Sequence, residues 1–329
     1  MSCKISRRSF LKVSGCLMLG SAVSGLLCGA GDPAEGGAAV PTVGGLRVNY
    51  VRAFAKDYGN NFRQMEIHLN IENTNSSAAY FNQENFVPLL GNSRYGGERT
   101  FSGLNKWNGS RYVQDVQLKA GETQTISYIC KLQPEDLSAG LRAVDPAPWS
   151  LTLLYGGQRQ TFTGYLLPDH YSTEYTAGPV ESTVLPSVGG IVLSGFWSSD
   201  LLTQIPSYSL PIYFTMQNSN DTTAQLPFRG VAENGDVLDN FTIRMDGQPR
   251  NHYRLYACTH TSRFTPEEKG HLETLQPQEI CFAETGISLT KDEYSTLYTT
   301  GHTLEITFSY GDESVTVRGN TRTGIFEAI

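Results

Sequence analysis

Ile67-His68-Leu69-Asn70-Ile71-Glu72-Asn73-Thr74-Asn75 recurs 145 residues later as Ile212-Tyr213-Phe214-Thr215-Met216-Gln217-Asn218-Ser219-Asn220. From Met65 onward the first stretch alternates: Met65, Ile67, Leu69 and Ile71 are apolar, and Glu66, His68, Asn70 and Glu72 are polar. Leu210, Ile212, Phe214 and Met216 repeat that rhythm in the second. A period of two turns one side toward a core and the other toward water, so each stretch reads as a half-buried strand.

Working outward, Pro41-Thr42-Val43-Gly44-Gly45-Leu46 is matched by Pro186-Ser187-Val188-Gly189-Gly190-Ile191 at the same displacement. Leu132 with Glu135, Asp136 and Leu137 is echoed by Leu289 with Asp292, Glu293 and Tyr294. Tyr155-Gly156 and Gly164 reappear as Tyr310-Gly311 and Gly319, now displaced by 155. Four matches in one order mark a tandem duplication. The growing displacement gives the second copy about ten extra residues, expected near Asp246-Gly247 as an added hairpin turn. Trp149, Leu151, Leu153 and Tyr155 alternate again, as do Leu304, Ile306, Phe308 and Tyr310, each run ending at a glycine-containing turn.

Helix is expected only as single turns at residues 134–137 and 290–297, where Thr290 and Glu293 have the spacing of a capping box. Many short strands and few helices describe an all-β antiparallel sandwich in each copy. A β-barrel fits the uneven strand spacing less well. Each copy has an early strand ending in Asn (Ile71-Glu72-Asn73, Met216-Gln217-Asn218). A Leu118-Lys119-Ala120-Gly121-Glu122-Thr123 stretch leads into a further strand, and a hairpin closes the copy. With these features the chain resembles the telokin-like, immunoglobulin-fold extracellular domains of bacterial surface lipoproteins, a group of domains of unknown function. Copy two departs at Leu275-Gln276-Pro277-Gln278-Glu279, which lacks the glycine. The resemblance implies two tandem immunoglobulin-like sandwiches, a binding or structural role, and no catalytic residues.

The N-terminus carries an address. Arg7, Arg8, Phe10, Leu11 and Lys12, followed by a modest apolar run over residues 13–27, resemble a twin-arginine export leader. Fifteen residues broken by three glycines are too short to span a bilayer and suit a cleaved signal peptide. Cys28, before a Gly/Ala/Pro-rich stretch, is a candidate lipidation site, although Leu27 departs from the small residue expected there; cleavage near Ala30 is the competing reading. The expected layout is a signal peptide at 1–30, a flexible tether at 31–44, one sandwich at 45–166, a linker at 167–189 and a second sandwich at 190–329. The expected location is outside the cytoplasm, at the outer face of the membrane if lipidated and secreted if cleaved.

Composition narrows the partners. The chain has 25 basic and 32 acidic residues; without Lys4, Arg7, Arg8 and Lys12 the mature part keeps 21 cations and a net charge of −11. An acidic surface without a basic stripe excludes nucleic acid as the expected partner and leaves a lipid on Cys28 as the only membrane contact. The translocase handles the leader during export; the working partner is expected to be an envelope protein or a glycan.

No catalytic residue, cofactor or metal is expected. His252, Cys258, His260 and Cys281 include zinc ligand types but match no compact zinc spacing. Cys258 and Cys281 are instead a candidate disulfide, and Cys130 reads as a small buried hydrophobe. Asn218-Ser219-Asn220-Asp221 and Asn234-Gly235-Asp236 read as turns before calcium loops. Asp169-His170 reads as solvated linker. Trp107 and Trp197, in polar turn-rich surroundings, are candidate ligand contacts, whereas Trp149 reads as core. Two alternatives to a non-catalytic binding, adhesion or structural module remain. One is an extracellular hydrolase using Glu135, Asp136, Asp292 or Glu293 in a cleft between the copies; the other is a solute-binding lipoprotein.

Overall fold

Strands run through most of the described chain, and the core strands lie where the sequence alternates. The computed structural model describes residues 40–57, 63–81, 83–90, 93–94, 99–102, 106–107, 112–113, 116–132, 147–198, 208–226, 230–231, 237–252, 256–258, 270–271, 274–297 and 300–329. Arg7, Arg8, Phe10, Leu11, Lys12 and Cys28 lie outside these residues, as do Glu135, Asp136 and His260. So do the side chains of Trp107, Cys130, Trp197 and Cys258, whose backbones are in strands. Pro41–Ile329 is one compact unit with two hydrophobic cores, one built between Val43 and Leu166 and one between Val188 and Phe326.

The first core is wrapped by β1 (Leu46–Asp57), β2 (Arg63–Asn73), β3 (Phe86–Leu90), β4 (Ser93–Arg94), β5 (Arg99–Ser102), β6 (Thr123–Leu132), β7 (Ala147–Tyr155), β8 (Gln158–Pro168) and β9 (Tyr175–Ser182). Their order is β4-β3-β7-β8-β1-β2-β6-β5, with β9 also on β8. All pairings are antiparallel except a short parallel one between β1 and β8 at Phe54↔Leu167. β3 and β6 are far apart in that order, yet the Phe86 and Tyr128 rings lie 5.6 Å apart. The sheet therefore bends back on itself, and its inward residues meet in one sandwich-like core.

The second core is wrapped by β10 (Ile191–Trp197), β11 (Ser209–Asn218), β12 (Phe241–Met245), β13 (Gln248–Arg250), β14 (Tyr256–Cys258), β15 (Gly270–His271), β16 (Ile280–Ser288), β17 (Thr303–Tyr310), β18 (Glu313–Asn320) and β19 (Ile325–Ala328). Their order is β13-β12-β17-β18-β19-β10-β11-β16-β14-β15. Phe214 on β11 and Phe241 on β12 close this core, with ring centroids 5.3 Å apart. The expected single turn is present as α1 (Lys291–Thr296). Thr290 caps it, and Thr290 and Glu293 make both bonds of a capping box. Burial opposes a charge on Glu293, but the Thr290 N–H and the Arg250 guanidinium hold its carboxyl below the usual range.

The two halves repeat each other bond by bond at one corner. Asn73 is fully buried; its Nδ2 donates to Ser77 O at 2.8 Å and Leu118 O at 3.0 Å, and its Oδ1 accepts from Asn75 N at 3.0 Å. Asn218, also fully buried, donates to Thr222 O at 2.8 Å and Leu275 O at 2.9 Å and accepts from Asn220 N at 3.0 Å. Thr74 Oγ1 and Ser219 Oγ donate to Gly45 O and Gly190 O. A Cβ on Gly45 or Gly190 would fall 2.0 or 2.1 Å from Asn75 or Asn220 Oδ1, so only glycine fits there. These bonds explain the matching Asn and Gly-Gly sequences: the side chains replace main-chain partners that the strand ends lose.

The extra residues of the second copy are not at Asp246-Gly247. The displacement is 145 at Ala79 and Ala224, which hold equal ladder positions, and already 155 at Phe86 and Phe241. The insertion therefore falls before β12, where Gly230–Val231 pairs with Val237–Leu238 as a small ribbon. Asp246-Gly247 joins Met245 to Gln248, a turn whose two-residue spacing is already present between Leu90 and Ser93. A turn signal marks a hairpin; it does not say whether the copies share it.

The segment expected as a linker contains β9, which pairs with β8 from Gly164↔Tyr175 to Gln158↔Ser182. Asp169 and His170 are exposed, as expected of solvated residues. Trp149 is 3 % exposed and belongs to the first core. Among the described residues, no helix is long and apolar enough to cross a membrane.

Candidate functional site

The polar sides of β1 and β2 carry the most organised cluster of surface groups. The register places Arg52 opposite His68 and Phe54 opposite Glu66, on the side away from buried Val51, Ala53, Ile67 and Leu69. Tyr171 comes from the segment between β8 and β9 and is held there by main-chain bonds between Ser172 and Ala53, 2.8 and 2.9 Å long. Its ring packs edge-on to Phe54 with centroids 4.2 Å apart, and the Arg52 guanidinium carbon lies 4.7 Å from the Tyr171 ring centroid.

Hydrogen bonds fix the orientation of these groups. Arg52 Nε donates to His68 Nδ1 at 3.2 Å, which leaves the ring proton on Nε2, 2.5 Å from Glu66 Oε1. The Tyr171 hydroxyl donates to the same carboxylate oxygen at 3.2 Å. Burial, with the Glu66 charge beside it, pushes the Tyr171 phenol up to about 12. Nearby, the Tyr50 hydroxyl is 3.3 Å from Thr125 Oγ1, and Asn70 also donates to that oxygen. Tyr50 and Tyr171 remain 40 % and 41 % exposed. The result is a pair of exposed tyrosines on a hydrogen-bonded ladder, with the His68 and Glu66 side chains only 12 % and 15 % exposed, an arrangement suited to stacking.

A second polar group lies beside the β12–β13 hairpin, at an open cavity of ≈ 560 Å³ lined by Asp239, Thr242, Arg244, Asn251, His252 and Glu305 among others. His252 is 4 % exposed. Its Nε2 is 2.8 Å from Asp239 Oδ2 and 3.1 Å from Phe241 O, two acceptors, so this nitrogen carries the proton. The Thr285 hydroxyl is 3.3 Å from Nδ1, on the other side of the ring. Thr, His and Asp are the ingredients of a nucleophilic site, but the Thr285 side chain is wholly buried and meets no solvent. These bonds satisfy polar groups inside the second core.

The candidates read from sequence are dispersed. Asp292 is exposed on the first turn of α1, and Glu293 is engaged by the capping box and by Arg250. Cys281 is buried opposite Met216, and Cys258 stands opposite Phe282, one position out of register. The candidate Cys258–Cys281 pair involves the Cys258 side chain, which lies outside the described residues. Among the described residues no three metal-ligating side chains converge, and Asn218 is committed to the corner described above. The Tyr171 cluster was partly readable: Glu66 and His68 alternate on β2. Tyr171 itself comes from the segment read as a linker and carried no local signal. No protein-family model matches the chain, and no curated protein matches it.

Proposed function

We propose that this protein is exported by the twin-arginine route and works outside the cytoplasm as a non-catalytic binding or adhesion module of two tandem immunoglobulin-like sandwiches. The strand order supports the fold reading. β1-β2-β6-β5 corresponds to an A-B-E-D sheet and β8-β7-β3-β4 to G-F-C-C′, and β10-β11-β16-β14 and β18-β17-β12-β13 repeat the same pattern. The leader residues Arg7 and Arg8 and the acidic mature chain support the location.

The observation that carries the binding role is the Arg52, Glu66, His68 and Tyr171 cluster. Its polar groups fix one another on an open sheet face, so little side-chain freedom is lost when a ligand arrives. A glycan or an envelope protein is the partner such a surface accepts. The test is capture from envelope extracts and on a glycan array, comparing the mature protein with Tyr50→Ala and Tyr171→Ala. Retention that both substitutions reduce supports the reading. No retention, or retention indifferent to both, defeats it.

A further inference from the structure

One outer face distinguishes the two halves. In the second half two rows of outward side chains cross β12, β17 and β18: Thr242, Thr307 and Thr316, then Arg244, Glu305 and Arg318. In the first half the same ladder positions hold Val87, Thr152 and Thr161, then Leu89, Ser150 and Thr163. The threonine pair is common to both, with hydroxyls 2.8 Å apart in Thr152–Thr161 and in Thr307–Thr316. Around it, Val87 and Thr152 are 1 % and 3 % exposed, whereas Thr242 and Arg244 stand open to solvent. The face is covered and uncharged in one copy, open and charged in the other, and over the second lies the cavity of ≈ 560 Å³.

The acids around this cavity are already engaged. Glu305 accepts from Arg318 Nε and Nη2 at 3.0 and 2.7 Å. Asp239 accepts from Phe241 N at 3.1 Å and from His252 Nε2 at 2.8 Å, and Arg250 pairs with Glu293. Arg244 has no carboxylate partner among the described residues, although Glu305 is directly opposite it. Thr242 lies two positions along the same strand, about 7 Å away between Cα atoms. Its hydroxyl and the amide of Asn251, just past β13, also lack partners among the described residues. Pro249, opposite Arg244, adds an exposed apolar ring. What is left unmatched is one cationic fork with neutral hydrogen-bonding groups a short step away.

We propose that this groove binds a sugar acid: a hydroxylated ring with one carboxylate, such as a hexuronate. The carboxylate seats on the Arg244 guanidinium, whose planar fork meets it with two parallel bonds. Thr242 and Asn251 take ring hydroxyls, and Pro249 packs against the C–H side of the ring. One unmatched cation suits one negative charge; a phosphate dianion would face Glu305 and Asp239 without a second free cation. The volume falls in the range of small-ligand sites, roughly 300–1,000 Å³. The site belongs to the second half and does not depend on the Tyr171 cluster of the first.

Calorimetric titration of the mature protein with glucuronate and galacturonate, against glucose, acetate and inorganic phosphate at equal ionic strength, tests this. At least one uronate should bind, with glucose and acetate about tenfold weaker or worse, because each lacks one half of the contacts. Arg244→Gln should weaken the uronate about tenfold, and Arg244→Lys by less, since it keeps the charge and loses the fork. Thr242→Val, which places the first half's residue there, should narrow the preference for uronate over acetate. These positions are exposed, and an unchanged thermal midpoint verifies that the variants fold. Tyr50→Ala and Tyr171→Ala should leave uronate binding as it is. The proposal is overturned if neither uronate binds in the millimolar range, or if acetate or phosphate binds as well as the uronates. Binding that survives Arg244→Gln, or that Tyr171→Ala abolishes, overturns it too.

Discussion

Gln278 shows how much one residue can carry. Gly121 has φ of +72° with open space where a Cβ would point, and Gln278, its counterpart, adopts φ of +62°. The left-handed turn persists without glycine because Gln278 N donates to Asn218 O at 2.8 Å, as Gly121 N does to Asn73 O. A non-glycine residue there costs about 1 kcal/mol. Gln278→Gly should therefore stabilise the protein by roughly 0.5–1 kcal/mol, read from the midpoint of a urea transition. Tyr171 makes a prediction about pH. Its phenol ordinarily titrates at 10.0 and is raised to about 12, so the fold favours the protonated form. This contribution is complete below pH 10 and is lost as pH rises through about 12. Ultraviolet titration of the phenolates should show a late step that Tyr171→Phe removes.

Among elements, the corner asparagines matter most. Asn73 and Asn218 each join the end of a strand to a distant ribbon through buried carbonyls. Alanine at either position leaves those acceptors unsatisfied and should cost about 2–3 kcal/mol, with matching losses in the two halves measured by chemical denaturation. Strands such as β2 and β11 were legible because apolar residues recur at every second position, Met65 to Ile71 and Leu210 to Met216, until the buried asparagine at each strand's end. The asparagines were visible as a repeated word, but their bonds to Leu118 and Leu275 were not, because the partners lie far along the chain. β9 was read as linker for a physical reason: both its faces are largely solvated, so no period of two marks it, and its order comes from the neighbouring edge. Asp246-Gly247 misled because turn chemistry is local, whereas the insertion is defined only by comparing ladders.

At the level of the whole molecule, duplication and class were readable, and surface chemistry was not. The alternating polar positions of β1 and β2 could be listed, but Tyr171 joins Arg52 and His68 through the docking of Ser172 against Ala53, which no local pattern marks. One feature also bears on how the molecule responds to load. β9 is the covalent path from the first core to the second, yet it lies zipped along β8 with its Ser182 end leading into the second half. A pull that separates the second core from the first would act on that end first and open the pairs one at a time. Its eight residues hold about 26–29 Å of extended chain. The path between the cores is thus a reel of slack that pays out under tension before either core is stretched, and rewinds when the tension falls.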